Sequence, residues 1–107
     1  MQMQTASRLR IYIDDTDTLG GAAAYRWLVE KAHAAGLRGA TVLRGTMGFG
    51  GHGEIHSSRV FALATDLPLV VEVIDEREKI DKYVADYLGE LDKGAVTIES
   101  VEAAFPG

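Results

Sequence analysis

The chain has 107 residues, 47% of them hydrophobic and 25% charged, with a formal net charge of -5, which excludes a disordered tail and leaves no room for two domains, so one domain over 1–107 is expected. Eleven Lys and Arg stand against 16 Asp and Glu, so the global attraction to phosphate backbones behind non-specific nucleic-acid binding is missing. No cysteine is present, which removes disulfides and thiolate metal sites, and no apolar run approaches the roughly 20 residues of a bilayer span. A cytoplasmic protein without membrane insertion follows as the expectation.

Leu9, Ile11 and Ile13 alternate with Arg10, Tyr12 and Asp14, the period of a strand with one buried face. Asp15-Thr16-Asp17-Thr18 supplies helix-start chemistry, and Ala22, Tyr25, Leu28, Val29 and Ala32 recur at helical spacing until Gly36. The spacing predicts a helix of about four turns. Trp27 falls off the apolar stripe of this helix, which suits either a subunit contact or the edge of the protein's own core. Ala40 to Met47 reads as a second strand, rich in β-formers, and it runs into the glycine-rich stretch from Gly45 to Gly53. Twelve glycines against two prolines are the one imbalance of composition, and this stretch holds much of it. A long loop is expected from here, with Ser57 to Ala64 fitting neither the strand nor the helix period.

Pro68 to Ile74 is a near-continuous apolar run behind a proline, which reads as a central strand. Asp75 with Glu78 resembles a capping box, and Ile80, Tyr83, Val84, Tyr87, Leu88 and Leu91 follow the helical stripe behind it. Gly89 and Gly94 bracket the end of that helix, Val96, Ile98 and Val101 suggest a last strand, and Pro106-Gly107 a loose terminus. Two βαβ halves joined by a long loop give an α+β fold class. The expected architecture is a ferredoxin-like βαβ-βαβ sandwich with an antiparallel sheet, helices on one face, and the long loop between the second and third strands. Such a sheet leaves edges and an open face to cover, so a homo-oligomer is expected.

Gly48-Phe49-Gly50-Gly51-His52-Gly53 spells G-x-G-x-x-G after a strand, yet Glu54 to Arg59 shows no helical stripe to carry a dinucleotide pyrophosphate. Gly45 and Gly50 have the spacing of P-loop glycines but precede Gly51-His52 where Lys and Ser or Thr are needed. What survives is a loop whose backbone amides could cradle an anion or dock on a partner, set against a plain connector. His52, Glu54 and His56 form H-x-E-x-H, whose alternate positions share one face of an extended segment and could converge on a metal ion. Asp14, Asp15 and Asp17 start like an EF-hand loop, but Leu19 and Arg26 stand where oxygen ligands belong. Capping of the first helix accounts for these acids. Arg44, Arg59 and Lys93 are cations near loop ends, able to clamp an anion or to pair with an acid. Ser57 and Ser58 beside His56 lack the strained elbow of a hydrolase nucleophile, and His56 with Arg59 would be the acid-base and anion-binding pair of a small enzyme.

Leu9 to Ile13, Gly39-Ala40-Thr41-Val42-Leu43-Arg44-Gly45, Met47 to Gly50, Ile55-His56 with Arg59, and Asp66 to Glu72 together resemble the bacterial and archaeal family called domain of unknown function 190. The resemblance runs from about Leu9 to Glu102, and Ala40 to Gly45 with the Gly48-Phe49-Gly50 turn is its most specific part. That family is similar to the P-II signalling proteins, which implies a homotrimer with nucleotide clefts between subunits and a loop that reports ligand state. By this resemblance Gly48, Phe49, Gly50, His56 and Arg59 lie in the loop, Arg44 and Gly45 at its base, and Lys93, in the Asp92-Lys93-Gly94 turn, where P-II proteins hold phosphates. Two departures stand out: that turn is short and lacks a glycine-rich basic loop, and Thr18 to Ala24 replaces the basic residues and proline of relatives, keeping only Asp17 and Tyr25. The reading is a non-catalytic P-II-like signal-transduction protein, without a cofactor, that binds a small anionic ligand such as an adenine nucleotide and acts on a transporter or enzyme. The alternative is a metal-binding trimer using His52, Glu54 and His56.

Overall fold

In the computed structural model, residues 1–50 and 67–107 are described in full, and His56–Ser57 as backbone. Strand β1 covers Gln4–Asp14, a short hairpin of β2 (Thr18–Leu19) and β3 (Ala22–Ala23) follows, and helix α1 spans Ala24–Ala34. Then come β4 (Thr41–Arg44), β5 (Met47–Gly48), β6 (His56–Ser57), β7 (Pro68–Asp75), helix α2 (Arg77–Tyr87) and β8 (Ala95–Ala103). The main sheet is antiparallel, in the order β4-β7-β1-β8. This is the expected mixed α+β arrangement, with the Pro68 strand central as its apolar run required.

The two-residue period decides the layers. Leu9, Ile11 and Ile13 on β1 and Leu69, Val71 and Val73 on β7 are buried against Leu28 of α1 and Ile80 and Tyr83 of α2. Each large apolar side chain removed from water in this way stabilises the fold by roughly 1.5–3 kcal/mol. The buried Tyr83 hydroxyl donates to the Leu28 carbonyl at 2.8 Å, which ties the helices together where water is excluded. Trp27 is partly buried against the same core, edge-on to Tyr87 with ring centroids 5.9 Å apart.

Local chemistry sets the boundaries, and several differ from the sequence expectation. Helix α1 is about three turns rather than four. Thr18 to Ala23 folds as the β2–β3 hairpin, because Gly20 and Gly21 take positive φ (59° and 80°) and turn the chain where a helix would have begun. Ala23 is the N-cap, without a side-chain hydrogen bond, so the acids after β1 do not cap this helix. Its far end is as expected: Gly36 (φ 77°) donates to His33 and Leu37 to Ala32, a paired C-terminal closure that satisfies two carbonyls. The second strand is broken at Gly45 into β4 and β5. No capping box forms at α2, whose N-cap is Glu76. Asp75 is fully buried instead, its Oδ2 accepting the Arg38 N–H at 3.0 Å and its Oδ1 the Glu76 N–H at 2.7 Å. The Arg38 Nε lies 3.4 Å from Oδ1, and the guanidinium is stacked 4.0 Å from the Phe105 ring, which holds the C-terminal segment down. Ser58 to Ala64 lies outside the described residues, and Ser57 is the last residue of β6.

Candidate ligand site at the end of the first strand

The sheet delivers three chain segments to one end. Strand β1 runs out at Asp14, β7 begins at Pro68 beside it, and β4 ends at Arg44 opposite Leu69. The turn after α2 reaches the same end through Gly94, whose φ of 80° and missing Cβ let its backbone press against the Tyr12 carbonyl. Arg44 and Lys93, the cations that sequence reasoning placed in the ligand site, are thus gathered around the carboxylates that follow β1.

The Arg44 Nη1 lies 3.0 Å from Asp15 Oδ2, and the Lys93 Nζ 4.0 Å from Asp17 Oδ1. Asp15 and Asp17 also brace the backbone. Asp15 Oδ1 accepts the Leu67 N–H at 3.2 Å, and Asp17 Oδ2 accepts the Asp14 N–H at 3.0 Å. The Asp17 carbonyl accepts the Ala24 N–H at 2.7 Å, so this turn also positions the start of α1. These acids were expected to cap a helix; six residues lie between Asp17 and Ala24, and the hydrogen bonds of Asp15 and Asp17 go to the turn and to Leu67 just before β7 instead. Arg44 remains 57% exposed and Lys93 is similarly open, so both can be reached by an anion from solvent.

Gly45 donates its N–H to the Pro68 carbonyl at 2.7 Å, and a Cβ at Gly45 would lie 2.7 Å from Pro68 Cγ, closer than any side chain tolerates. A Cβ at Gly48 would likewise lie 3.1 Å from Pro68 Cγ, and the Gly48 backbone pairs with His56 across the β5–β6 ladder. Phe49 is largely exposed, and a Cβ at Gly50 would meet nothing within 4 Å. Arg59, His52 and Glu54 lie outside the described residues, as does the His56 side chain. Among the described residues no group of three or more His, Cys, Asp or Glu is placed to hold a metal ion.

The sheet face away from the helices carries a feature that the sequence reading missed. The register aligns Leu43, Val70, Tyr12 and Ala95 in one row across all four strands. Leu43 is 48% and Tyr12 40% exposed, a contiguous apolar band of the kind that marks a contact surface. Farther along, the same face is ionic: Arg10 Nε meets Glu72 Oε2 at 2.8 Å and Arg8 Nη2 meets Glu99 Oε1 at 2.6 Å. The hydrogen bond from Arg8 holds the Glu99 carboxyl below its usual range, and donation to the Glu72 carboxylate raises the pKa of the Arg10 guanidinium. Alternation in β1 and β8 could have shown the band, once the pairing of strands far apart in sequence was known. Arg44 follows Leu43 directly and Lys93 precedes Ala95 by two residues, so the two cations flank the band at opposite edges of the sheet.

Comparison with known proteins agrees with this architecture. Residues 6–103 match the family profile of domain of unknown function 190, described as "Uncharacterized ACR". A UPF0166 protein of Aquifex aeolicus is 37% identical over 105 residues, covering 98% of this chain and 99% of the relative. A UPF0166 protein of Methanocaldococcus jannaschii is 31% identical over 80 residues, 75% of this chain and 73% of its own. Among solved structures, CPII of Thiomonas intermedia K12, a nitrogen regulatory PII-like protein bound to ADP, AMP and bicarbonate, superposes with a TM-score of 0.71 at 15% identity, covering 95% of this chain and 91% of CPII. Its apo form superposes with a TM-score of 0.64 at 14% identity, covering 98% of each chain. At such identities the likeness is one of fold.

Proposed function

The chain belongs to the family of domain of unknown function 190, and from that membership we propose that it is a non-catalytic, cytoplasmic P-II-like regulator. It binds an adenine nucleotide, or another small anion, in clefts between the subunits of a homotrimer. The observation that carries the reading is the pair of exposed cations at this end of the sheet, Arg44 beside Asp15 and Lys93 beside Asp17, on a fold shared with a PII-like protein that is bound to ADP, AMP and bicarbonate. The Leu43–Val70–Tyr12–Ala95 band supports the trimer, since an apolar row on an open sheet face is stabilised when a second sheet covers it. Burying the band places both cations at the rim of the contact, where a ligand reaches them from solvent and from a neighbouring copy. The segment after Gly45, including Gly48, Phe49, Gly50, His56 and Arg59, carries the signal to a transporter or enzyme.

Calorimetric titration of the purified protein with ADP, AMP, ATP and bicarbonate, alongside sedimentation equilibrium, tests both parts. Saturable nucleotide binding to a trimer is expected. It should weaken about tenfold or more when Arg44 or Lys93 becomes Gln, as for loss of a charge-assisted hydrogen bond. A monomer, or a trimer indifferent to all four compounds, refutes the reading.

A further inference from the structure

Asp15 is fastened to both ends of the segment that separates β4 from β7. Its Oδ2 takes the Arg44 guanidinium at 3.0 Å, on the last residue of β4. Its Oδ1 accepts the Leu67 N–H at 3.2 Å, and its own N–H donates to the Leu67 carbonyl at 2.9 Å, immediately before β7. The two ends also meet directly, through the bond from Gly45 N–H to the Pro68 carbonyl. One carboxylate at the end of β1 thus joins the upstream and downstream ends of residues 45–66.

The two attachments differ in kind. The Leu67 attachment is a pair of hydrogen bonds, one accepted from the Leu67 N–H by a carboxylate only 10% exposed and one donated by the Asp15 main-chain N–H to the Leu67 carbonyl. The Arg44 attachment is made to a guanidinium whose side chain is more than half open to water. An ion pair with one partner so exposed contributes about 1 kcal/mol or less. A phosphate brings more negative charge and a geometry that suits the guanidinium fork, so it can take Arg44 from Asp15 without breaking the Leu67 bonds.

We infer that Asp15 is a positioning residue that competes with the anionic ligand for Arg44, so that ligand capture takes the Arg44 guanidinium from Asp15 while the Leu67 attachment, the β4–β7 pairing and the Gly45–Pro68 bond stay in place. This rests on the proposed function, because Arg44 must be a ligand contact. The carboxylate therefore lowers the affinity with which Arg44 takes the ligand. The ligand exchanges partners with a group already present, and the energy that separates the two states is the difference between two ion pairs.

Asp15→Asn keeps an oxygen for the Leu67 N–H and removes the competing charge. ADP should bind about two- to fivefold tighter to this variant than to the wild type, the gain equivalent to a surface ion pair. In an Arg44→Gln background the same change should leave ADP affinity unaltered, which a purely structural role of Asp15, or a general field effect, would not produce. Without any variant, NMR of the wild type should show the Arg44 Nε–H resonance moving on addition of ADP while the Leu67 amide keeps its protection from exchange. Unchanged or weaker ADP binding by Asp15→Asn, a gain that survives Arg44→Gln, or an Arg44 resonance that ignores bound ADP each overturns the inference while the proposed function stands. Absence of ADP binding by the wild type overturns the inference, and indifference to AMP, ATP and bicarbonate as well overturns the proposed function.

Discussion

Replacing Asp75 by Asn tests whether a single buried carboxylate organises the end of the fold away from the candidate site. Asp75 is fully buried and accepts two main-chain N–H groups, from Arg38 at 3.0 Å and from Glu76 at 2.7 Å. An Asn side chain has the same shape but only one acceptor atom, so its NH2 must face one of those two donors. The loss is one hydrogen bond to a charged group, worth about 1.5–3 kcal/mol, together with an N–H left without an acceptor. A destabilisation of about 2–4 kcal/mol follows, a substantial part of the roughly 5–15 kcal/mol that holds a domain folded. Arg38→Ala is the informative control. It removes the guanidinium, whose side chain is 42% exposed, and the stack on Phe105, but leaves the main-chain N–H in place. With solvent screening at that exposure, about 1 kcal/mol or less should be lost. Urea unfolding followed by circular dichroism, at one fixed protomer concentration because association shifts apparent stability, gives both values. The reasoning is refuted if Arg38→Ala costs as much as Asp75→Asn, since the guanidinium and not the main chain would then be the principal partner.

Gly94→Ala should destabilise by about 2 kcal/mol or more, since the position demands a left-handed backbone and the new methyl group meets the Tyr12 carbonyl; thermal unfolding reads the loss, and an unchanged midpoint contradicts the packing described. Gly20→Ala brings a methyl to 2.5 Å from Trp27 Nε1 at a φ of 59°, so the indole must move and its fluorescence emission should shift. The buried Tyr83 hydroxyl has its pKa raised far above the ordinary value of 10, chiefly by burial. The unfolded chain therefore loses this proton first, and the contribution of Tyr83 is intact below about pH 10 and is lost as the pH rises above it. Urea unfolding between pH 8 and pH 11 should show a decline that is shallower in Tyr83→Phe, a variant about 1 kcal/mol less stable at neutral pH because the Leu28 carbonyl loses its donor. The Glu99 carboxyl, held low by Arg8, contributes in the opposite direction: its share is present above the ordinary carboxylate range and fades as the pH falls below it, so Glu99→Gln should flatten the acid limb.

Hydrophobic period carried most of the fold. Leu9 to Ile13, Leu69 to Val73 and the Ile80–Tyr83 stripe announce a two-layer packing, and each is buried as its period requires. Chain punctuation was less legible. Asp15 to Thr18 has the composition of a helix start, but two adjacent glycines at positive φ turn the chain before a helix can begin, and a capping motif cannot reveal that competition. Asp75 and Glu78 likewise fit a capping box, whereas the carboxylate is drawn to the Arg38 N–H, a partner distant in sequence. At the candidate site Arg44 and Lys93 were visible as cations, but their pairing with Asp15 and Asp17 depends on the sheet bringing three segments to one end. The apolar row on the open face was hidden for the same reason: Leu43, Val70, Tyr12 and Ala95 come from four strands, and only their register makes them neighbours.

The strand order also governs when this chain can begin to fold. Among the described strands, β1 pairs only with β7 and β8, and β4 only with β7, so the first half of the polypeptide contains no two neighbours in the main sheet. A nascent chain released before Pro68 has a helix and a hairpin but nothing to pair with Leu9, Ile11 and Ile13. The last closure joins Thr5 to Glu102, 97 residues apart. Such non-local pairing slows folding and leaves an apolar strand edge open during synthesis. Shortening the chain by its final strand therefore exposes one whole edge of β1, and fragments that end before β7 should need chaperones to stay in solution.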